Sequence, residues 1–141
     1  MILLVTIFTT IASAGSYSDT AIAVIVSKNS ELSAMSRNDL ADMYTGKTLV
    51  LPDSKAPIPL DYRGNDALKA AFYKKLLGKN LSQINEYWAT VMFTGQATPP
   101  QAVVTPIVME NSVDGNVTAV GYISEKDYSP KMNVKILMIL P

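Results

Sequence analysis

The chain contains no cysteine and no histidine. Thiol nucleophiles, disulfides, Ser-His-Asp triads and most zinc sites are therefore excluded together. Attachment of lipid to an N-terminal cysteine is excluded as well. Excess charge of either sign is also missing, since 12 Lys and Arg balance 12 Asp and Glu. That balance argues against a basic nucleic-acid binder and against an acidic tail, and the apolar half of the composition argues against disorder. There is no Walker or Rossmann fingerprint, and Gly64-Asn65 is too short to form a phosphate-cradling glycine loop. Asp39, Asp42, Asp61, Asp66 and Glu86 could serve acid–base chemistry, but no nucleophile or cation stands beside them at a catalytic spacing. The expectation is a protein that is not an enzyme and uses no cofactor or metal. No internal repeat or low-complexity segment interrupts the chain.

No Lys or Arg precedes Lys28. Residues 1–14 nevertheless read as a secretory signal, because the apolar run is too short to span a bilayer and Ala12-Ser13-Ala14 fits a small-x-small cleavage site. The expected mature domain is 15–141, periplasmic and without a membrane span. At 141 residues the chain can build one core without disulfides.

Strands alternate with helices. Thr20 to Ser27 is a β-branched run expected to be buried on both faces. Ser36 is placed to cap a helix, with Asp39 as its capping-box partner and Met35 stapled on Leu40. Leu40, Met43 and Tyr44 give that helix its apolar face, and Gly46 ends it. Lys47 to Ala56 reads as a loop. Ile58 to Asp61 reads as a strand and Tyr62 to Asn65 as a tight loop. The next helix opens at Asn65 or Asp66, carries Leu68, Ala71, Phe72 and Leu76 on one stripe, and stops at Gly78. Ser82 is the expected cap of a third helix with Ile84, Tyr87, Trp88 and Val91 on its core face and Gly95 as terminator. After the stiff Thr98-Pro99-Pro100 connector, Thr105-Pro106 opens a short helix to about Asn111. Asp114-Gly115 is a turn. Val117 to Ser124 and Val134 to Leu140 are strands, and Gly121 signals close backbone approach. The pattern predicts an α/β fold with a mixed sheet flanked by helices.

Several pieces in this order resemble one family. They are Ile22-Ala-Val-Ile-Val-Ser-Lys-Asn29, Met35-Ser-Arg-Asn-Asp-Leu40 with Tyr44-Thr-Gly-Lys47, Pro59-Leu-Asp61, Ala71-Phe-Tyr-Lys-Lys75 with Leu77-Gly-Lys79, Tyr87-Trp88, Phe93-Thr-Gly95 with Thr98-Pro-Pro100, and Val120-Gly-Tyr-Ile123. Together they cover roughly residues 20–125. The chain resembles short, stand-alone phosphate ABC transporter substrate-binding-like domains, relatives of the type 2 periplasmic binding proteins. The resemblance implies one lobe of that fold, a small anion such as phosphate as ligand, and an ABC permease as partner. In full-length relatives two lobes clamp the anion, so either a second lobe comes from another protein or from a homodimer, or the ligand stays half-exposed and weakly bound.

The family's ligand-binding Arg falls on Tyr62, and its Ser-Gly-Thr run falls on Asp66, Ala67 and Leu68. None of the four is kept, so the resemblance implies a degenerate anion site. Arg63, one place away, could substitute through a shift of the loop. A strand that feeds a loop and then a helix leaves free N–H groups and a favourable dipole for an anion. The candidate ligand-binding residues are therefore Tyr62, Arg63, Gly64, Asn65, Asp66 and Lys69, with Lys28 and Asn29 at another strand end. Against this, Asn65 and Asp66 are also good caps. An Asp66 carboxylate would repel a phosphate by about 4 kcal/mol at roughly 4 Å and an effective dielectric of about 20. Two functions are thus expected side by side: a periplasmic solute-binding-like protein with a degenerate site, and an envelope interaction or sensory accessory protein that keeps the fold without binding phosphate.

Overall fold

A computed structural model describes residues 20–47, 55–64 and 66–141. The expected leader, most of the 47–56 loop and Asn65 lie outside the described residues. Strand β1 (Ile22–Ser27) is followed by α1 (Arg37–Tyr44), β2 (Ile58–Tyr62), α2 (Ala67–Leu77), α3 (Leu81–Phe93), β3 (Gln101–Val103), α4 (Pro106–Asp114), β4 (Ala119–Ser124), a 3₁₀ turn (Glu125–Asp127) and β5 (Val134–Leu140). The five strands form one mixed sheet in the order β3-β2-β4-β1-β5. Strand β2 is parallel to β3 and β4, while β1 is antiparallel to β4 and β5. This is an α/β arrangement with a mixed sheet flanked by helices, as the sequence predicts.

All six residues of β1 are buried, as its β-branched run requires in a strand covered on both faces. Alternation along β4 shows how the covering is done, since neighbours on a strand face opposite sides. Tyr122 faces α1 and α2: its ring stacks on Phe72 with centroids 3.8 Å apart, and Tyr44 meets Phe72 edge-on at 4.7 Å. Gly121 faces α4 on the other side. A Cβ there would lie 2.5 Å from Met109 Sδ and 2.9 Å from Val113 Cγ2, both in fully buried side chains. Replacing Gly121 by alanine is expected to lower stability by about 1–3 kcal/mol through overpacking. Urea denaturation measures this, and a loss of under about 0.5 kcal/mol would show that α4 can simply move away.

Local signals hold at most helix ends. Ser36 accepts from the Asp39 N–H, and its hydroxyl donates to the Asp39 carboxylate at 2.7 Å. Thr105 caps α4 with Pro106 at the first helical position. Gly46, Gly78 and Gly95 all adopt positive φ just past α1, α2 and α3. Five details differ from the expectation. Tyr62 is the last residue of β2 and not part of the loop. The cap of α3 is Asn80, which forms a reciprocal capping box with Gln83, so Ser82 lies inside the first turn. Helix α4 continues through Val113, whose side chain is buried, to Asp114. The 101–103 segment, to which the sequence assigned no element, is a strand, β3. Tyr87 is exposed, at the edge of the α3 stripe, and donates its hydroxyl hydrogen to the Thr45 carbonyl at 2.6 Å.

Candidate functional site

At the C-terminal end of β2 the backbone passes from the buried core into a loop and then into α2. Leu60 and Tyr62 are apolar and buried, and they carry Asp61 into the interior between them. A carboxylate placed there needs partners, because unpaired burial is costly. Asp61 Oδ1 accepts from the Tyr122 hydroxyl at 2.5 Å and from the Tyr62 N–H at 2.7 Å. Its Oδ2 accepts from the Tyr73 hydroxyl at 2.7 Å, and Lys69 Nζ lies 3.6 Å away. Burial pushes the Tyr73 and Tyr122 hydroxyls well above the ordinary tyrosine range, and the Asp61 charge pushes them further. Asp61 thus joins β2, α2 and β4 through one fully engaged group.

A cleft of about 290 Å³ opens beside this knot. Asp61, Arg63, Gly64 and Lys69 form its polar end. Ile84, Trp88 and Met92 recur every four residues along α3 and form one wall. Pro99, Pro100 and Ala102, at the entry to β3, form the other. Trp88 is held from behind by Gly46, where a Cβ would come within 2.9 Å of the indole ring and 2.8 Å of Ala97 Cβ. The glycine at φ +81° therefore both ends α1 and seats the indole.

The predicted residues divide in three ways. Tyr62, Arg63, Gly64 and Lys69 come together on the cleft. The Tyr62 hydroxyl turns inward, however, and donates to the Tyr122 carbonyl at 3.0 Å. Asp66 is the N-cap of α2: its Oδ1 accepts from the Leu68 N–H at 2.8 Å and the Lys69 N–H at 3.2 Å. Lys28 and Asn29 lie elsewhere. Because β1 runs opposite to β2, its C-terminal end sits at the other end of the sheet, where Lys28 Nζ donates to the Pro130 carbonyl. Sequence reasoning missed Asp61 as the centre of the knot and missed the wall from α3 and the prolines. The available signal was a lone carboxylate between two apolar residues in a strand, in a chain with seven tyrosines to hold it.

Electrostatically, the site is nearly closed upon itself. The Lys69 charge faces Asp61 in a largely buried pair. The Asp66 charge faces the α2 N-terminus, whose dipole favours it. The exposed Arg63 guanidinium has no hydrogen bond or ion pair among the described residues. Its position is set by the main chain, through the Arg63 N–H to the Val103 carbonyl at 2.9 Å.

No family model matches the sequence, and no curated protein matches it. Solved structures do. An ABC-type phosphate transport receptor from Vibrio cholerae superimposes with a TM-score of 0.62 at 15% identity, over 84% of this chain and 47% of that one. A phosphate ABC transporter substrate-binding protein from Clostridium perfringens, solved with bound phosphate, gives 0.64 at 18% identity, over 84% of this chain and 45% of that one. The chain thus spans somewhat under half the length of these structures. At such identities the likeness is one of fold: the chain shares the architecture of part of these two structures.

Proposed function

We propose that this chain is a non-enzymatic solute-binding lobe acting in the periplasm, related to the phosphate-binding component of ABC transporters, in which the phosphate-type site is filled by the protein itself. One observation carries the reading. Asp66 Oδ1 already accepts two N–H groups of the first turn of α2 and places its charge where an anion would sit. The fold likeness supports the solute-binding part, and the saturated Asp61 supports a binding role over catalysis. A permease of the ABC type is the natural partner of such a lobe.

Thermal unfolding with inorganic phosphate tests the closure. A ligand that binds only the native state raises the melting temperature by mass action. The expected result is no saturable rise at millimolar phosphate. Asp66→Ser keeps a capping oxygen and removes the charge, so this variant should gain a phosphate-dependent rise. A saturable, phosphate-selective rise in the unaltered protein would reject the closure.

A second reading, an envelope interaction protein, is favoured by exposed apolar side chains. Phe93 at the end of α3 is 92% exposed, and Ile107 at the start of α4 is 71% exposed. Light scattering decides it: a stable dimer or complex that Phe93→Ser dissolves supports the second reading, and a monomer at high concentration rejects self-association.

A further inference from the structure

We propose that the cleft beside β2 takes a small organic monocarboxylate with an apolar body, its carboxylate on Arg63 and its body between Trp88, Met92, Pro99 and Pro100. The inference rests on the reading that the α2 N-terminus is closed to phosphate, and it names what the remaining space is built to hold.

The charges set the head group. Lys69 is engaged with Asp61 at 3.6 Å, and Asp66 is engaged with the Leu68 and Lys69 N–H groups. Among the described residues that leaves Arg63, with its planar fork of donors, as the unengaged cation on the cleft. One guanidinium matches one carboxylate, two oxygens to two N–H groups. A dianion would need further donors, and the Leu68 and Lys69 N–H groups of the helix are already taken by Asp66. The Asn85 amide on the same lining offers one additional polar contact.

The walls set the body. Ile84, Trp88 and Met92 present one continuous apolar stripe of α3, and Pro99-Pro100 faces the cleft with rings that cannot rearrange. Ligand pockets of this kind pair a mostly apolar lining with a few convergent polar groups. An inorganic anion would leave that lining in water. A six-carbon acid would cover it while keeping its carboxylate at the polar end.

Trp88 is the sole tryptophan of the chain and lines the cleft, so its emission reports occupancy without a label. The experiment titrates the protein with hexanoate, hexanamide, acetate and inorganic phosphate at fixed ionic strength, reading Trp88 emission and melting temperature in parallel. Hexanoate is expected to give a saturable change. Hexanamide, which lacks the charge, and acetate, which lacks the body, should each bind roughly tenfold more weakly or worse. Arg63→Gln, at an exposed position, should keep the circular dichroism spectrum and lose roughly tenfold in hexanoate affinity. The inference is overturned if hexanoate produces no saturable change, if hexanamide binds as well, or if Arg63→Gln binds unchanged. Hexanoate and phosphate both silent would overturn it while leaving the closure by Asp66 intact. Saturable phosphate binding would reject the closure, and this inference with it.

Discussion

Asp61→Ala is expected to destabilise the domain by about 3–5 kcal/mol, the range for removing one partner of a buried charged network. The alanine would strand the Tyr73 and Tyr122 hydroxyls, both buried and both pointed at the missing carboxylate. It would also take away the ion-pair partner of the Lys69 ammonium. Each unsatisfied neutral group costs about 1–3 kcal/mol, and the lysine adds a charge that must find water. Urea denaturation of the two proteins gives the difference directly. A control separates the knot from the hole left by truncation. Combining Asp61→Leu with Lys69→Met, Tyr73→Phe and Tyr122→Phe removes the side-chain donors and the acceptor together, so much of the loss should return, because an apolar exchange of the side-chain partners is close to neutral. If Asp61→Ala costs less than about 1 kcal/mol, the carboxylate is not what joins these three elements.

Alkaline solution should unfold the protein steeply. The hydroxyls of Tyr44, Tyr73 and Tyr122 are all held well above the ordinary tyrosine range, by burial first and by the Asp61 charge second. In the unfolded chain they ionise near pH 10. Their native-state values are higher, so their contribution is complete below about pH 10 and is lost as pH rises beyond it, where the unfolded state sheds protons that the native state keeps. Each tyrosine contributes a slope of about 1.4 kcal/mol per pH unit, and three together give about 4 kcal/mol per unit. A domain of ordinary stability, about 5–15 kcal/mol, is exhausted within a few units. Urea denaturation at stepped pH checks the slope. Tyr44→Phe, which leaves the Asp61 bonds in place, should reduce it by about a third; an unchanged slope would show that this hydroxyl ionises as easily in the native state as in the unfolded one.

How far these features could be read beforehand depended on whether their causes were local. The buried β1, the caps at Ser36, Asp66 and Thr105, and the close approach at Gly121 each rest on a residue type and its near neighbours. Their physics acts over a turn or a strand and is legible in one window. Even the mistaken Ser82 cap had its answer within reach, because Asn80 followed by Gln83 is the better capping box. Strand β3 is different. It is three residues long and mostly exposed, and it exists because β2 offers a parallel partner there. The Asp61 knot is likewise non-local, since Tyr73 and Tyr122 reach it from α2 and β4. The candidate cleft was half legible for the same reason. Arg63, Gly64 and Lys69 follow from the strand–loop–helix sequence, whereas the wall from α3 and the prolines comes from packing. Tyr87 and Trp88 show the limit of helical periodicity, since adjacent residues at the edge of a stripe fall on different sides of the surface.

The order of the sheet also governs how the chain can fold. β1, the most completely buried strand, pairs with β4 on one side and β5 on the other: Ile22 lies opposite Ser124 and Leu140. Both neighbours come from the last part of the chain. Until they arrive, the β-branched run of β1 has nothing to pair with, and each pairing must close a loop that includes most of the domain. Such non-local pairing slows folding and keeps apolar strand exposed in the meantime. A ribosome-bound chain lacking β4 and β5 therefore presents β1 as an open binding segment, available to a chaperone, and the domain commits to its native state only after the last strand has been made.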